Sequence, residues 1–239
     1  MMRIITPAWP VFRVRAFTSL RTGGVSAGPY ASLNLASHVG DEPRHVAANR
    51  AALCREAGIE GAPLWLNQVH GRVIVDAGAS FAGVPEADGS FTTTAGAVCA
   101  VLTADCLPVV LADLMGHCVA VVHAGWRGLA AGVIEAGVAA LPVSPSRLVA
   151  WLGPAIGAAD YEVGDEVRQA FGEEARAAFT MAASGRYYAD LYALARLRLR
   201  GAGVAAVYGG GLSTFSDPDL FSYRRTPVCG RMATLAWIA

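Results

Sequence analysis

Residues 97–128, AVCAVLTADCLPVVLADLMGHCVAVVHAGWRG, constrain the fold more than any other stretch, because three apolar runs follow one another with no room for a helix between them. The runs, 97–103, 107–112 and 118–122, are rich in Val and Leu and of strand length. Ala104-Asp105-Cys106 separates the first two, and 113–117 separates the second from the third. The last two runs read as a hairpin. A four-residue tip at 113–116 pairs 112 with 117 and sets Cys106 opposite His123, with Cβ atoms about 5 Å apart. One more residue in the tip turns the two side chains to opposite faces. The pattern predicts proximity and leaves the face open.

After His123 the chain reads Ala-Gly-Trp-Arg-Gly, and Leu129, Val133, Ala136 and Ala140 then recur at helical spacing. The spacing predicts a helix over 129–140, which puts His123 at a strand-to-helix turn where Gly125 and Gly128 free the backbone to bend. Such a turn is a good place for chemistry, since a rigid sheet holds the side chain that the loop exposes.

The flanking chain alternates strand-like and helix-like segments. In VFRVRAF, 11–17, alternation puts Phe12, Val14 and Ala16 on one face and Arg13 and Arg15 on the other. A helix is predicted over 43–57, capped by Asp41 and stopped by Gly58, with Val46, Leu53 and Ala57 inward and Asn49-Arg50 as a solvated pair. Segments 64–67 and 73–76 read as strands around a bend carrying His70, and Glu86-Ala87-Asp88-Gly89 reads as a turn. Strands follow at 148–152, 204–208 and 232–238, with helices capped near Asp165 and Asp190. No repeat, low-complexity tract or linker divides the chain, so residues 1–239 read as a single domain of α+β class.

Nineteen basic and nineteen acidic residues balance, and no long Lys/Arg run occurs, which argues against nucleic acid or an anionic membrane surface as partner. No uncharged apolar run of membrane-spanning length is present. The opening Met-Met-Arg-Ile-Ile-Thr-Pro offers no apolar core of signal-peptide length before Pro7 and Pro10. The expectation is a soluble cytoplasmic monomer. Its five cysteines, without a CxxC, are then reduced thiols, and Cys54, Cys99 and Cys118 are small core residues.

His70, Cys106 and His123 each stand at a strand end, with spacings too long for a local zinc-finger pattern. Two chemistries fit them. The three bind Zn2+ and leave a fourth position open, or Cys106 is a nucleophile with His123 as its base. The two readings differ in whether His70 joins.

Three segments carry a resemblance: Asn67-Gln68-Val69-His70-Gly71, Thr103-Ala104-Asp105-Cys106-Leu107-Pro108-Val109 and His123-Ala124-Gly125-Trp126-Arg127-Gly128. With Ser32-Leu33-Asn34-Leu35, His38-Val39-Gly40-Asp41, Asn49-Arg50 and Phe221-Ser222-Tyr223-Arg224-Arg225, they resemble the ordered motifs of the YfiH-like family, also called the multicopper polyphenol oxidase or laccase-domain family. The resemblance implies a four-layer α/β/β/α fold with mixed β-sheets, shared with thiol-dependent toxin hydrolases. It implies a zinc site on His70, Cys106 and His123. The implied activity is phosphorolysis of adenosine, inosine, guanosine and methylthioadenosine, with deamination of adenosine; a Cys-His hydrolase editing a peptidoglycan precursor is the alternative.

Two departures stand out, since similar proteins often carry cysteines near Ala158-Ala159-Asp160 and near Ser213-Thr214. Copper-dependent laccase chemistry is disfavoured by counting: with His70 and His123 used, His38, His45 and His117 are too few for a trinuclear cluster. Motif membership makes Arg50, Asn34 and Gln68 candidates for ribose, base or phosphate contacts. Arg224 and Arg225 are candidates for an anion site, because a guanidinium matches phosphate. Asp105 is a candidate to orient a neighbouring ligand, and Trp126 and Tyr161 to stack on a base.

Overall fold

The computed structural model describes residues 3–239; Met1 and Met2 of the opening segment lie outside the described residues. The first half runs β1 (Ile4–Ile5), β2 (Val14–Ser19), α1 (Pro43–Ala57), β3 (Ile74–Asp76), β4 (Gly89–Thr92), β5 (Cys99–Thr103), β6 (Leu107–Asp113) and β7 (Val119–Ala124). The second half runs α2 (Trp126–Ala131), α3 (Val133–Ala140), β8 (Leu148–Leu152), β9 (Glu162–Val163), α4 (Asp165–Gln169), β10 (Phe179–Met181), β11 (Tyr187–Ala189), α5 (Leu191–Gly201), β12 (Ala206–Gly209) and β13 (Met232–Ile238).

A six-stranded sheet has the order β12-β8-β6-β7-β4-β3, a four-stranded sheet β1-β2-β13-β5, and β10-β11-β9 form a small third sheet. Parallel pairing occurs where β12 meets β8 and β3 meets β4, so the mixed character belongs to the six-stranded sheet. The pairs of the four-stranded sheet are antiparallel.

The continuous apolar runs follow from having cover on both faces. Along β6, Val110 and Ala112 join Val101, Ala236 and Ile238 in a seam between the two large sheets. Val109 and Leu111 point the other way, into a core shared with Leu129, Val133 and Ile134 and with Leu191, Leu194 and Leu199 of α5. On the outer face of the four-stranded sheet, Ala100, Leu102 and Leu235 pack with Leu53 of α1. Each fully buried Val or Leu contributes about 1.5–3 kcal/mol, so a strand whose every residue is buried is a stiff mount for whatever its end carries.

Several expectations change in detail. Helix α1 has the predicted span and ends at Gly58 in the left-handed region, but its N-cap is Glu42 with no side-chain bond. Asp41 instead turns inward to accept from Ser26 Oγ at 2.6 Å and Asn34 Nδ2 at 2.9 Å. Asn49 is buried rather than solvated, with Nδ2 donating to Asn34 O at 2.8 Å. Phe12 is 94% exposed, because β2 begins at Val14, the partner of Ile238 at the end of β13, and no ladder reaches residue 12. The helix expected over 129–140 is two helices broken at Gly132, whose φ of 88° interrupts it. Segment 64–67 makes isolated bridges rather than a strand.

Candidate metal centre

The hairpin places the site. Its tip is 114–117, with Asp113 N donating to Cys118 O, and Pro108 pairs with His123 and Leu107 with Ala124. Extending that register puts Cys106 beside Gly125, two residues from the expected partner. An even shift preserves the face, so Cys106 and His123 lie diagonally on one side. Gly125 is needed for space rather than for bending: its φ is −68°, open to any residue, but a Cβ there would stand 3.0 Å from Cys106 Sγ and 3.2 Å from His70 Cδ2.

Asp88 builds the rest. This carboxylate is fully buried, with Oδ1 accepting from His70 N at 2.9 Å and Oδ2 from Gly71 N at 2.6 Å and Val69 N at 3.2 Å. Oδ1 also meets His123 Nδ1 at 2.8 Å, and Asp88 O accepts from His123 N. Burial works to raise the Asp88 carboxyl, but the His123 ring and the Gly71 N–H outweigh it and hold it below the usual carboxylate range. An ionised carboxylate only accepts, so Nδ1 carries a proton, and Nε2 is the nitrogen left for the cavity. The same carboxylate fixes His70, whose φ of 61° is unusual for a residue with a Cβ.

The outcome is a cluster of His70, Cys106 and His123 whose ligand atoms all lie within 4.8 Å of one another, the two imidazoles meeting edge to face at 4.9 Å between centroids. Among the described residues this is the cluster of His, Cys and acidic groups suited to a metal ion. Burial opposes charge on Cys106 and His123 alike. The facing imidazoles nevertheless bring the Cys106 thiol down to about 6, and Cys106 with Asp88 lift His123 to about 9. A thiolate and two imidazole nitrogens, one oriented by a carboxylate, are a donor set that fits zinc or copper.

The cluster forms part of the wall of a cavity of about 390 Å³, in the size range of a small-ligand site. Gln68, Arg224, Trp126 and Tyr161 line it. Gln68 spends its amide on Leu102, donating to O at 2.9 Å and accepting from N at 2.7 Å. Arg224 lies over the Tyr161 ring at 5.2 Å and donates Nη1 to Glu162 O. Asn34, Arg50 and Arg225 are placed outside the lining, with their polar atoms turned to the fold. Asn34 accepts from Ala36 N and Arg231 N and donates to Asp41, and Arg50 Nε donates to Leu35 O at 2.9 Å. Arg225 Nη1 reaches the carbonyls of Thr214, Phe215 and Asp217. Asp105 clasps the 214–224 segment instead of a ligand, accepting from Thr214 Oγ1 at 2.6 Å and Arg224 N at 2.7 Å. The two departure positions meet, Ser213 Oγ donating to Asp160 Oδ2 at 2.8 Å.

Asp88, Arg127, Arg231, Tyr223 and His38 reach the site without having been singled out for it in the sequence. For Asp88 the turn-like setting Glu-Ala-Asp-Gly hid a residue whose donors arrive from 17 to 19 positions upstream. For His38 the signal was its place in a motif.

Residues 15–239 match the family described as multi-copper polyphenol oxidoreductase laccase. A Pseudomonas aeruginosa protein named purine nucleoside phosphorylase is 51% identical, covering 98% of each chain. The Escherichia coli K12 protein named purine nucleoside phosphorylase YfiH is 46% identical over 100% of both. Among solved structures, a Neisseria meningitidis protein superposes with a TM-score of 0.95 at 47% identity, covering 98% of each chain. YlmD from Geobacillus stearothermophilus gives 0.87 at 31% identity, over 97% of this chain and 94% of its own.

Proposed function

This chain belongs to the family described as multi-copper polyphenol oxidoreductase laccase, and we propose that it is a zinc-dependent purine nucleoside enzyme. It cleaves adenosine, inosine, guanosine or methylthioadenosine with phosphate, giving free base and ribose 1-phosphate or its methylthio counterpart, and deaminates adenosine as a second activity. The observation that carries the reading is the joining, in one cavity, of the His70, Cys106 and His123 donors with the aromatic faces of Trp126 and Tyr161 and the guanidinium of Arg224. A nucleoside with phosphate needs a π-face for the base, cationic donors for the anion, and orientation at the ribose.

Phosphorolysis breaks the bond from C1′ to the purine nitrogen, joins a phosphate oxygen to C1′ and hands a proton to the departing base. Trp126 and Tyr161 hold the base, and Arg224 offsets charge. Gln68, clasped to β5, keeps the wall rigid. His70, Cys106 and His123 would hold zinc through two imidazoles and a thiolate, and the bound ion would supply a Lewis acid. Copper is the less favoured occupant: His45 lies by Asp41 and His117 by Asp113, away from the cluster, so the imidazoles for a trinuclear centre are not gathered there.

One observation favours a second reading. The chain of Asp88, His123 and Cys106 also suits a thiolate nucleophile with an oriented base, as in a hydrolase of a peptidoglycan precursor. The seams of α1 on sheet, sheet on sheet, and sheet on helices support the four-layer arrangement of that fold class. No helix among the described residues is long and apolar enough to cross a membrane. We read the protein as a cytoplasmic monomer acting on small molecules, with neither nucleic acid nor membrane as partner. The test is metal-quantified protein incubated with adenosine, inosine and methylthioadenosine, with and without phosphate, following base and ribose 1-phosphate by chromatography. Phosphate-dependent base release sustains the first reading. No release with metal bound transfers it to the hydrolase.

A further inference from the structure

The arginines near the cluster differ in how much of their donor capacity the fold consumes. Arg225 has Nη1 on three carbonyls and Nη2 on Leu220 O. Arg231 gives Nη1 to Cys229 O at 2.8 Å and Gly230 O at 3.0 Å. Arg224 gives only Nη1, to Glu162 O. Arg127 has no hydrogen bond or ion pair among the described residues, while its guanidinium lies over the Trp126 ring at 4.4 Å and lines the same cavity as Cys106 and His123.

A guanidinium keeps its charge at any working pH and presents five N–H donors, so donors the protein leaves empty are met by water or by a ligand. Stacking on Trp126 holds the Arg127 plane in place and lowers the entropy lost on binding. The carboxylate in the nearest wall, Asp105, accepts from Thr214 Oγ1 and from Arg224 N, so it is held against the 214–224 segment, and an anion here must be held by the guanidiniums against its charge. Tyr161 lines the same cavity, under the Arg224 guanidinium. Burial, the Cys106 charge and the Asp105 charge push its hydroxyl up, and Arg224 and Arg127 work against them.

We propose that Arg127, with the unused edge of Arg224, is the oxyanion-binding pair of this cavity and takes inorganic phosphate beside Tyr161. The choice of phosphate rests on the phosphorolysis reading; the anion site rests on the two guanidiniums. It moves the anion assignment from the pair Arg224 and Arg225, because the Arg225 donors are spent on its own backbone loop.

The experiment titrates inorganic phosphate into metal-loaded wild type, Arg127→Lys and Arg127→Met, read by calorimetry and phosphorus NMR, alongside KM for phosphate and for inosine. Wild type binds phosphate. Arg127→Met weakens it about 10- to 100-fold, as loss of a charge-assisted bond does, and Arg127→Lys recovers part of it. Metal content stays constant, and KM for phosphate rises by a larger factor than KM for inosine, whose base shares the Trp126 ring with Arg127. Equal phosphate affinity in Arg127→Met and wild type, or none in wild type, overturns the assignment. Phosphate binding that depends on Arg127 without nucleoside turnover sinks the phosphorolysis reading and leaves the anion site standing. Phosphate-dependent turnover in Arg127→Met at the wild-type phosphate KM does the reverse.

Discussion

The donor cluster under the cavity and the loop shell beside it are both made of polar motif residues, yet they aim their polar atoms in opposite directions. In the cluster, His70, Cys106 and His123 converge on one point. In the shell, Asn34, Asn49, Arg50 and Arg225 turn onto nearby backbone, where they satisfy groups that the irregular loops leave unpaired. The cluster is also where the backbone departs from easy conformations. His70 and Asp105, at φ 61° and 95°, are the non-glycine residues with positive φ among those described, and they flank the cavity. A polar motif therefore marks a place where the chain must be held. Which members face a ligand is decided by whether their donors are already spent.

That contrast can be broken at either end. The largest effect is expected at Cys106→Ala, where turnover falls by at least about 10³-fold with the thermal midpoint little changed; retained activity would erase the distinction. Asn34→Ala is the mirror experiment. It leaves buried N–H and C=O groups unpaired and costs about 2–4 kcal/mol in urea unfolding, while KM of the folded protein holds steady; a changed KM with unchanged stability would move Asn34 into the site.

Asp88→Asn keeps the shape of the clamp but loses its charge, so metal affinity by chelator competition drops about 10- to 100-fold. Unchanged affinity would mean that backbone alone sets the cluster. Gly125→Ala puts a methyl group against Cys106 and His70 at a permissive φ. Overpacking there costs on the order of tenfold in metal affinity, with little loss of overall stability, and a purely conformational role for the glycine predicts the opposite split.

The smallest effect is on the acid limb of stability. Burial alone would raise Asp41, but bonds from Ser26, Asn34 and Glu42 N hold its carboxyl below the usual range. A depressed folded pKa means that its stabilisation is full above the unfolded value, near about 3.9, and is lost as pH falls through the lower folded value. Asp41→Asn should flatten that part of the unfolding free energy measured between about pH 2 and 5. An identical acid limb would remove Asp41 from the shell's bookkeeping.

What the sequence made legible follows from range. The hairpin, the span of α1 and the Asp190 cap, which accepts from Ala193 N at 2.9 Å, are set within a few residues, and pattern and propensity reach that far. The hairpin register came out displaced by two because the tip residues Asp113 to Gly116 look alike as turn formers and only the packed ladder selects among them. Asp88 and Asn49 were hidden for another reason. Their partners lie 15 to 35 residues away in sequence, so each reads locally as a turn acid or a solvated amide.

Asp88 binds the segment carrying His70 and the ring of His123 with one carboxylate, so the donor set is assembled by the chain alone. Its assembly is finished when folding is finished. Stripping the metal with a chelator then leaves shape and secondary structure in place, and reloading needs only access, not refolding. On the metal-dependent reading proposed above, losing the metal would silence the site without unfolding the chain.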